Sequence, residues 1–257
     1  MGSIRVERHD DEPVATVVIA NPERRNAISR EDARALADAF REIDADEAIR
    51  GAILTGEGSA FCAGLDLTTV EGEPSADLVD RSFHAAVREI ATCSVPVVAR
   101  VDGPAVGAGA SLAVACDLVF AAEDARIGFS FTKIGLTADT GATWTLPRLV
   151  GAQTAFDLLA SGRILDAPEA ADLGLVTETA SADELDALVD RRATALANGP
   201  TRAISAIRRL LRRANANTIE EHLELEAGAQ IDTYHTADST EGVLAFTENR
   251  DPEFEGR

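Results

Sequence analysis

Lysine is almost missing from this sequence: Lys133 is the only one, and every other basic side chain is arginine. Basic residues are scarce altogether, 24 against 44 acidic ones, for a formal net charge of -20. Phosphate backbones are held by basic surface, so this balance argues against nucleic acid as a partner. Such self-repulsion is tolerable where concentrated salt screens it, the Debye length being about 3 Å at 1 M. A halophilic cytoplasm explains the bias, and an ordinary acidic protein is the alternative. Cysteine is also sparse. Cys62, Cys93 and Cys116 are odd in number and lack metal-ligand spacing, which excludes a disulfide framework and reads as reduced thiols. No run of about 18 apolar residues occurs, so no membrane span is expected. The start, Met-Gly-Ser-Ile-Arg-Val-Glu, lacks the basic-then-apolar pattern of a secretory leader, and a cytoplasmic location is expected.

What is present is a chain of 257 residues, 46% hydrophobic, able to bury a sizeable core as one domain or two. Val14 to Ala20, Ile49 to Leu54, Val95 to Val101 and Leu118 to Ala121 read as buried strands. Between them, Ser29 followed by Glu31-Asp32 opens a helical pattern through Ala35, Leu36, Ala39, Phe40 and Ile43, and Phe83 to Ile90 reads as another helix. Glu71 to Ala76, acidic and holding Gly and Pro, reads as a loop. Alternating strands and helices predict an α/β body with crossover connections. From about Asp183 the strand signals stop, and Asp183–Asn198, Thr201–Arg213, Thr218–Tyr234 and Glu241–Thr247 read as helices. There is no internal repeat and no low-complexity linker.

The most informative stretch runs from Asp102 to Asp117. A turn at Gly103-Pro104 leads into a loop of small residues and then an apolar run that reads as a buried helix. Gly107, Ala108 and Gly109 leave their amides almost uncovered. Amides at a helix start are unpaired and lie at its positive end, where they attract an anion or a developing negative oxygen. Small residues also let backbones pack closely, and this stretch alone does not separate the two readings.

Three segments taken together are more specific: Gly58-Ser-Ala-Phe-Cys-Ala-Gly-Leu-Asp-Leu67, the run just described, and Ala125 to Arg148, with Phe131-Thr-Lys-Ile-Gly135 and Thr143-Trp-Thr-Leu-Pro-Arg148 inside it. In order and spacing they resemble the crotonase superfamily, the enoyl-CoA hydratase/isomerase family. The resemblance extends from Asn21-Pro-Glu-Arg-Arg-Asn-Ala27 to Glu241-Gly-Val-Leu-Ala-Phe-Thr-Glu-Asn-Arg250. It implies an α/β crotonase (ClpP-like) spiral of ββα units over residues 1–195. A helical C-terminal oligomerisation region, 196–257, would build a homotrimer or a dimer of trimers. The implied substrate is an acyl-CoA thioester, with coenzyme A as part of the substrate and no metal or redox cofactor.

Carried over residue by residue, the resemblance places one carbonyl-polarising amide at Leu65, after Ala63-Gly64, and the other at Ala108, inside Gly107-Ala-Gly109. The two glutamates that split water in hydratases would fall on Ser111 and Phe131, so the usual acid/base pair of hydration is absent. Asp139 matches the base of the family's isomerases, among them the ring-epoxide isomerase of phenylacetyl-CoA degradation and Δ3,Δ2-enoyl-CoA isomerases. Ala138 and Ala142 depart from the proline and glycine usual there. An isomerisation needs only one base, and Phe129, Phe131 and Trp144 would surround it with apolar surface. Alternatively, Asp139 caps the helix that follows. His84 matches the histidine base of 4-chlorobenzoyl-CoA dehalogenases, in which an aspartate at position 139 is the nucleophile. In that case it would support hydrolysis, and otherwise it is a polar residue beside the acyl pocket. Asp66 is expected to support the loop for the adenine end of coenzyme A, and Arg24 and Arg25 to approach its phosphates. Arg208-Arg209 and Arg212-Arg213 form either a ligand-binding cluster or a charged helix face. The expected reaction is double-bond isomerisation with Asp139 as base. The rivals are dehalogenation, atypical hydration, and a silent acyl-CoA-binding subunit.

Overall fold

Strands that pair in parallel are covered on both faces and read as unbroken apolar runs, and that is what the central segments form. The computed structural model describes residues 3–70 and 75–257. Four residues of the acidic loop read over Glu71–Ala76, 71–74, therefore lie outside the described residues. In chain order, β1 (Ile4–Arg8) and β2 (Val14–Ile19) form a hairpin, and α1 (Arg30–Ala45) crosses to β3 (Gly51–Gly56). The short α2 (Ala76–Val79) continues through a π-helical turn, Asp80–His84, into α3 (Ala85–Thr92). Next come β4 (Val97–Val101), β5 (Pro104–Val106) and α4 (Ala108–Ala115), then β6 (Leu118–Ala122), β7 (Arg126–Gly128) and α5 (Ala142–Ser161). β8 (Ile164–Asp166), α6 (Ala167–Asp172) and β9 (Glu178–Ala180) complete the strands. Four helices follow: α7 (Leu185–Ala197), α8 (Thr201–Arg213), α9 (Ile219–Tyr234) and α10 (Ala237–Glu248).

The larger sheet has the order β1-β2-β3-β4-β6-β9 and is parallel except at β1; the smaller has the order β5-β7-β8. The pairs β4/β5 and β6/β7 each send one strand to each sheet before a helix follows, which is the ββα unit of a spiral. The core lies between the larger sheet and α1, α3, α4 and α7. In α1, Leu36, Phe40 and Ile43 face it, and Ser29 and Asp32 close the first turn as a reciprocal capping box. α4 is buried at all eight positions, so it runs through the interior.

Several sequence expectations shift. Ile49 is buried but precedes its strand, because its amide turns back to the Asp46 carbonyl. Part of the loop expected after Gly103 is strand β5, with Pro104 at its first position, where no ladder donor is needed. The last helix starts at Ala237, capped by Thr236, ahead of Glu241. Among the described residues, no helix is long and apolar enough to cross a membrane.

Candidate active site

A cleft of about 1640 Å³ runs between α3, α4, α5 and α8. Two arms of backbone meet in its wall. The first is the segment after β3, where Gly64 takes φ +92° and Leu65 makes an isolated parallel bridge with Ile28. Residues 24–28 hold this arm from outside. Ala63 N–H donates to the Arg25 carbonyl (3.0 Å), Ile28 N–H to the Gly64 carbonyl (2.9 Å) and Asp66 N–H to the Ile28 carbonyl (2.9 Å). Asn26, fully buried, donates from Nδ2 to the carbonyls of Glu57 (2.9 Å) and Ala60 (2.6 Å). It does so in the left-handed region, φ 56°, beside Arg25 at φ 51°. Left-handed backbone at non-glycine residues costs of order 1–3 kcal/mol each unless the surroundings enforce it; here the bonds on both sides do.

The second arm is β5 and the start of α4. Cys62 bridges Ala105 in parallel, so the two arms run side by side. A Cβ on Gly64 would stand 2.7 Å from the Val106 oxygen and 3.4 Å from the Ala108 nitrogen. Gly107 and Gly109 divide the two readings of the glycine run between them. A Cβ on Gly109 would stand 2.1 Å from the Cys62 oxygen, so this glycine exists for close packing. At Gly107 a Cβ would meet nothing within 4 Å; what demands glycine there is backbone at φ 58°, ψ -121°. That turn starts α4 at Ala108. Gly107 N–H donates to the Gly128 carbonyl (2.8 Å), while its own carbonyl accepts from Ser111 N–H (3.1 Å) and Ser111 Oγ (3.0 Å). Among the described residues, neither the Leu65 amide nor the Ala108 amide donates a hydrogen bond, and both residues line the cleft.

Side chains complete the lining of the same cleft. Asp139 lines the cleft half-buried, and its Oδ1 accepts from Thr140 Oγ1 (2.7 Å). The capping alternative for Asp139 does not hold: the cap of α5 is Gly141, with no side-chain cap bond. The Asp139 carbonyl, not its carboxylate, accepts from Ala142 N–H (3.0 Å). Phe131 (9% exposed), His84 and Trp144 (45% exposed) line the same cleft. The Arg148 guanidinium lies 3.9 Å from the Trp144 ring centre, and its Nη1 donates to the Trp144 carbonyl. His84 sits at the end of the π turn, its Nδ1 3.8 Å from an Asp80 oxygen. Phe129, expected near Asp139, is fully buried in the core and does not line the cleft. Ser111 is buried and its hydroxyl is spent on Gly107.

Other expected ligand residues lie elsewhere. Arg25 is exposed and is not among the residues lining the cleft. Arg24 and Asp66 do not line the cleft; they pair with each other, Arg24 Nη1 lying 3.0 and 2.9 Å from the two Asp66 oxygens. Thr68, through its hydroxyl and then its amide, and the Arg24 charge hold the Asp66 carboxyl below the usual carboxylate range. The two arginine pairs on α8 split. Arg208 is buried and joins Asp117 (2.6 Å), as does Arg212 (3.3 Å), both lining the cleft, while Arg209 and Arg213 are exposed. Burial pushes the Cys62 thiol up to about 12 and Cys93 to about 11. Among the described residues, no three His, Cys, Asp or Glu side chains gather as a metal site.

Two unpaired amides brought side by side in a spiral of ββα units, lining one cleft with Asp139, are the features of a crotonase-fold enzyme. The comparisons agree. The profile of the enoyl-CoA hydratase/isomerase family matches residues 9–257. The chain is 36% identical over 255 residues to the 1,2-epoxyphenylacetyl-CoA isomerase of Escherichia coli strain K12, across 97% of each chain. It is 32% identical over 251 residues to the carnitinyl-CoA dehydratase of Proteus mirabilis, across 95% of each. The crystal structure of an enoyl-CoA hydratase from Polaromonas sp. JS666 superposes with a TM-score of 0.91 at 32% identity, covering 99% of this chain and 100% of that one. The chain belongs to the enoyl-CoA hydratase/isomerase (crotonase) family, and membership implies an acyl-CoA substrate.

Proposed function

We propose that this chain is an enoyl-CoA double-bond isomerase. The observation that carries the reading is that two free amides, Leu65 and Ala108, share the cleft with Asp139, a carboxylate with no cation on it among the described residues, while the cleft's other carboxylate, Asp117, is paired with Arg208 and Arg212, and positions 111 and 131 hold no acid. The thioester oxygen sits between the two amides. Asp139 takes a proton from the carbon next to the carbonyl, the electron pair moves onto the oxygen, and the amides hold the enolate. The same proton returns to the far carbon of the allylic unit, leaving the double bond conjugated with the thioester. No water and no second acid are consumed. A carboxylate alone is too weak a base for such a carbon acid; each oriented donor contributes roughly 2.7–4 kcal/mol in enzymes of known behaviour. Ala63, Gly64, Gly107, Phe131 and Trp144 shape the pocket around the thioester and acyl group.

The test is conversion of a 3-enoyl-CoA to its 2-enoyl isomer at high salt, with Asp139→Asn as control. Full isomerase activity in Asp139→Asn would remove Asp139 as base. Because His84 shares the cleft, a second reading is hydrolytic dehalogenation, with Asp139 attacking an aryl carbon and His84 activating water. Chloride release from a halobenzoyl-CoA without isomerisation would select it. Turnover of neither substrate, with acyl-CoA still bound, would select a silent binding subunit, and hydration of a 2-enoyl-CoA an atypical hydratase. We also propose that the helices after α7 are the oligomerisation region. Their large exposed apolar side chains, among them Leu211, Ile219, Leu223, Ile231 and Phe246 (85% exposed), suit burial between copies in a homotrimer or a dimer of trimers. Solution mass tests this.

A further inference from the structure

We infer that Arg24 is a positioning residue for the Leu65 amide, acting through Asp66, and is not a ligand of the substrate's phosphates. The inference rests on the reading that the Leu65 amide polarises a thioester carbonyl. The first arm of the site is a short stretch whose amides are assigned one by one. Ala63 N–H and Asp66 N–H are tied back to residues 25 and 28, and Gly64 N–H faces the Cys62 sulfur at 3.4 Å. Only Leu65 N–H is left over; it lies in the Gly64–Leu65 peptide plane, whose carbonyl accepts from Ile28 N–H, and its position also follows the Leu65 Cα, which the Leu65–Asp66 peptide anchors. The plane on its C-terminal side leads directly to Asp66. That residue is fastened at its backbone to Ile28 and at its side chain to Arg24 and Thr68.

The Asp66 side chain is only 9% exposed. A carboxylate buried to that extent needs its partners, and among the described residues Arg24 is the one cation on it. Arg24 Nη1 straddles both carboxylate oxygens and reaches the Thr68 hydroxyl as well. The guanidinium is thereby engaged on Asp66 and lies outside the cleft lining. Arg24 also belongs to the 24–28 segment that holds the arm through its backbone. Its ion pair thus closes the second end of a frame around residues 63–66, and Leu65 N–H is the free donor inside that frame. Without the pair, Asp66 turns outward to water, the Leu65–Asp66 peptide keeps only its bond to the Ile28 carbonyl, and the Leu65 Cα and N–H can shift.

The test separates positioning from phosphate binding by using two substrates: a 3-enoyl-CoA, and the same acyl group on pantetheine, which carries none of the nucleotide phosphates. Arg24→Met is expected to lower kcat about tenfold on both, since small misplacements of an active-site group cost on that order, with KM within threefold of wild type. The carbonyl stretch of a bound saturated acyl-CoA should move to higher frequency, reporting a less polarised carbonyl. Arg24→Lys, which keeps the charge on Asp66, should recover most of the loss, and it keeps the question decidable if Arg24→Met folds poorly. A KM rise confined to the CoA substrate, with kcat and carbonyl frequency unchanged, would overturn the inference in favour of a phosphate ligand. No change in any readout would reduce the pair to a surface contact. Should the chain not isomerise at all, the carbonyl frequency of the bound saturated thioester still decides the inference, while the reaction reading fails separately.

Discussion

The two walls of the cleft are built on different principles. The Leu65/Ala108 wall is backbone: its donors exist because Gly64 and Gly107 turn the chain and because neighbouring amides are already engaged. The Asp139/His84 wall is side chain: one residue type at one position decides what it can do. The backbone wall answers to geometry and tolerates changes of side chain. The side-chain wall answers to identity and loses its chemistry to a single isosteric swap. Family membership follows readily from the first wall, and the particular reaction depends on the second.

Mutations at the two walls should therefore behave in opposite ways. The largest effect is expected at Asp139→Asn, an isosteric change that should lower isomerisation by about 10³-fold, within the usual range for removing a general base. Its melting temperature should match wild type, since the carboxylate caps nothing. Gly109→Ala should reverse that signature. Its Cβ would drive into the Cys62 carbonyl, costing about 1–3 kcal/mol of stability and taking activity down with it. Gly107→Ala meets no such clash, so its cost is the backbone turn alone, and its melting temperature should fall less than that of Gly109→Ala. Leu65→Ala should change kcat by no more than a few-fold, because the amide and not the side chain does the work. A hundredfold loss there would break the distinction between the walls.

The smallest effect lies far from either wall, at Glu241. Both of its oxygens face Arg250, and it also accepts Glu253 N–H, so folding lowers this carboxyl from 4.5 to about 2. A group depressed on folding stabilises above its unfolded value. The contribution is complete above pH 4.5 and is lost as pH falls toward 2. Thermal melts of wild type and Glu241→Gln should differ slightly at neutral pH and converge across that window, while activity at neutral pH stays the same.

How much of this was legible beforehand varied with the length of the signal. β2, β3, β4 and β6 showed as apolar runs, and Ser29 with Asp32 marked the start of α1, whereas β1, an exposed edge strand of sequence IRVER, carries no apolar run and was missed. β7, β8 and β9 have three residues each, too few for any periodicity to be counted, and they were invisible. Asn26 was passed over as part of a motif, although asparagine is among the non-glycine residues most able to adopt left-handed backbone. The pairing of Arg24 with Asp66 could not be foreseen, because the partner lies 42 residues away and no local pattern marks it. The glycine run was ambiguous for a physical reason: packing and donor exposure favour the same residue, and only the surroundings of Gly107 and Gly109 tell them apart.

The bridges of Ile28 to Leu65 and Cys62 to Ala105, with the bond from Gly107 to Gly128, have a consequence in time. They join stretches far apart along the chain, and contacts of that kind form late because loops must close before they are rewarded. The amide pair therefore has no partial existence. A chain still emerging during synthesis has no half-built oxyanion site until the segment around residue 128 has arrived and docked. On the proposed reading, reactivity toward thioesters switches on only with completed folding.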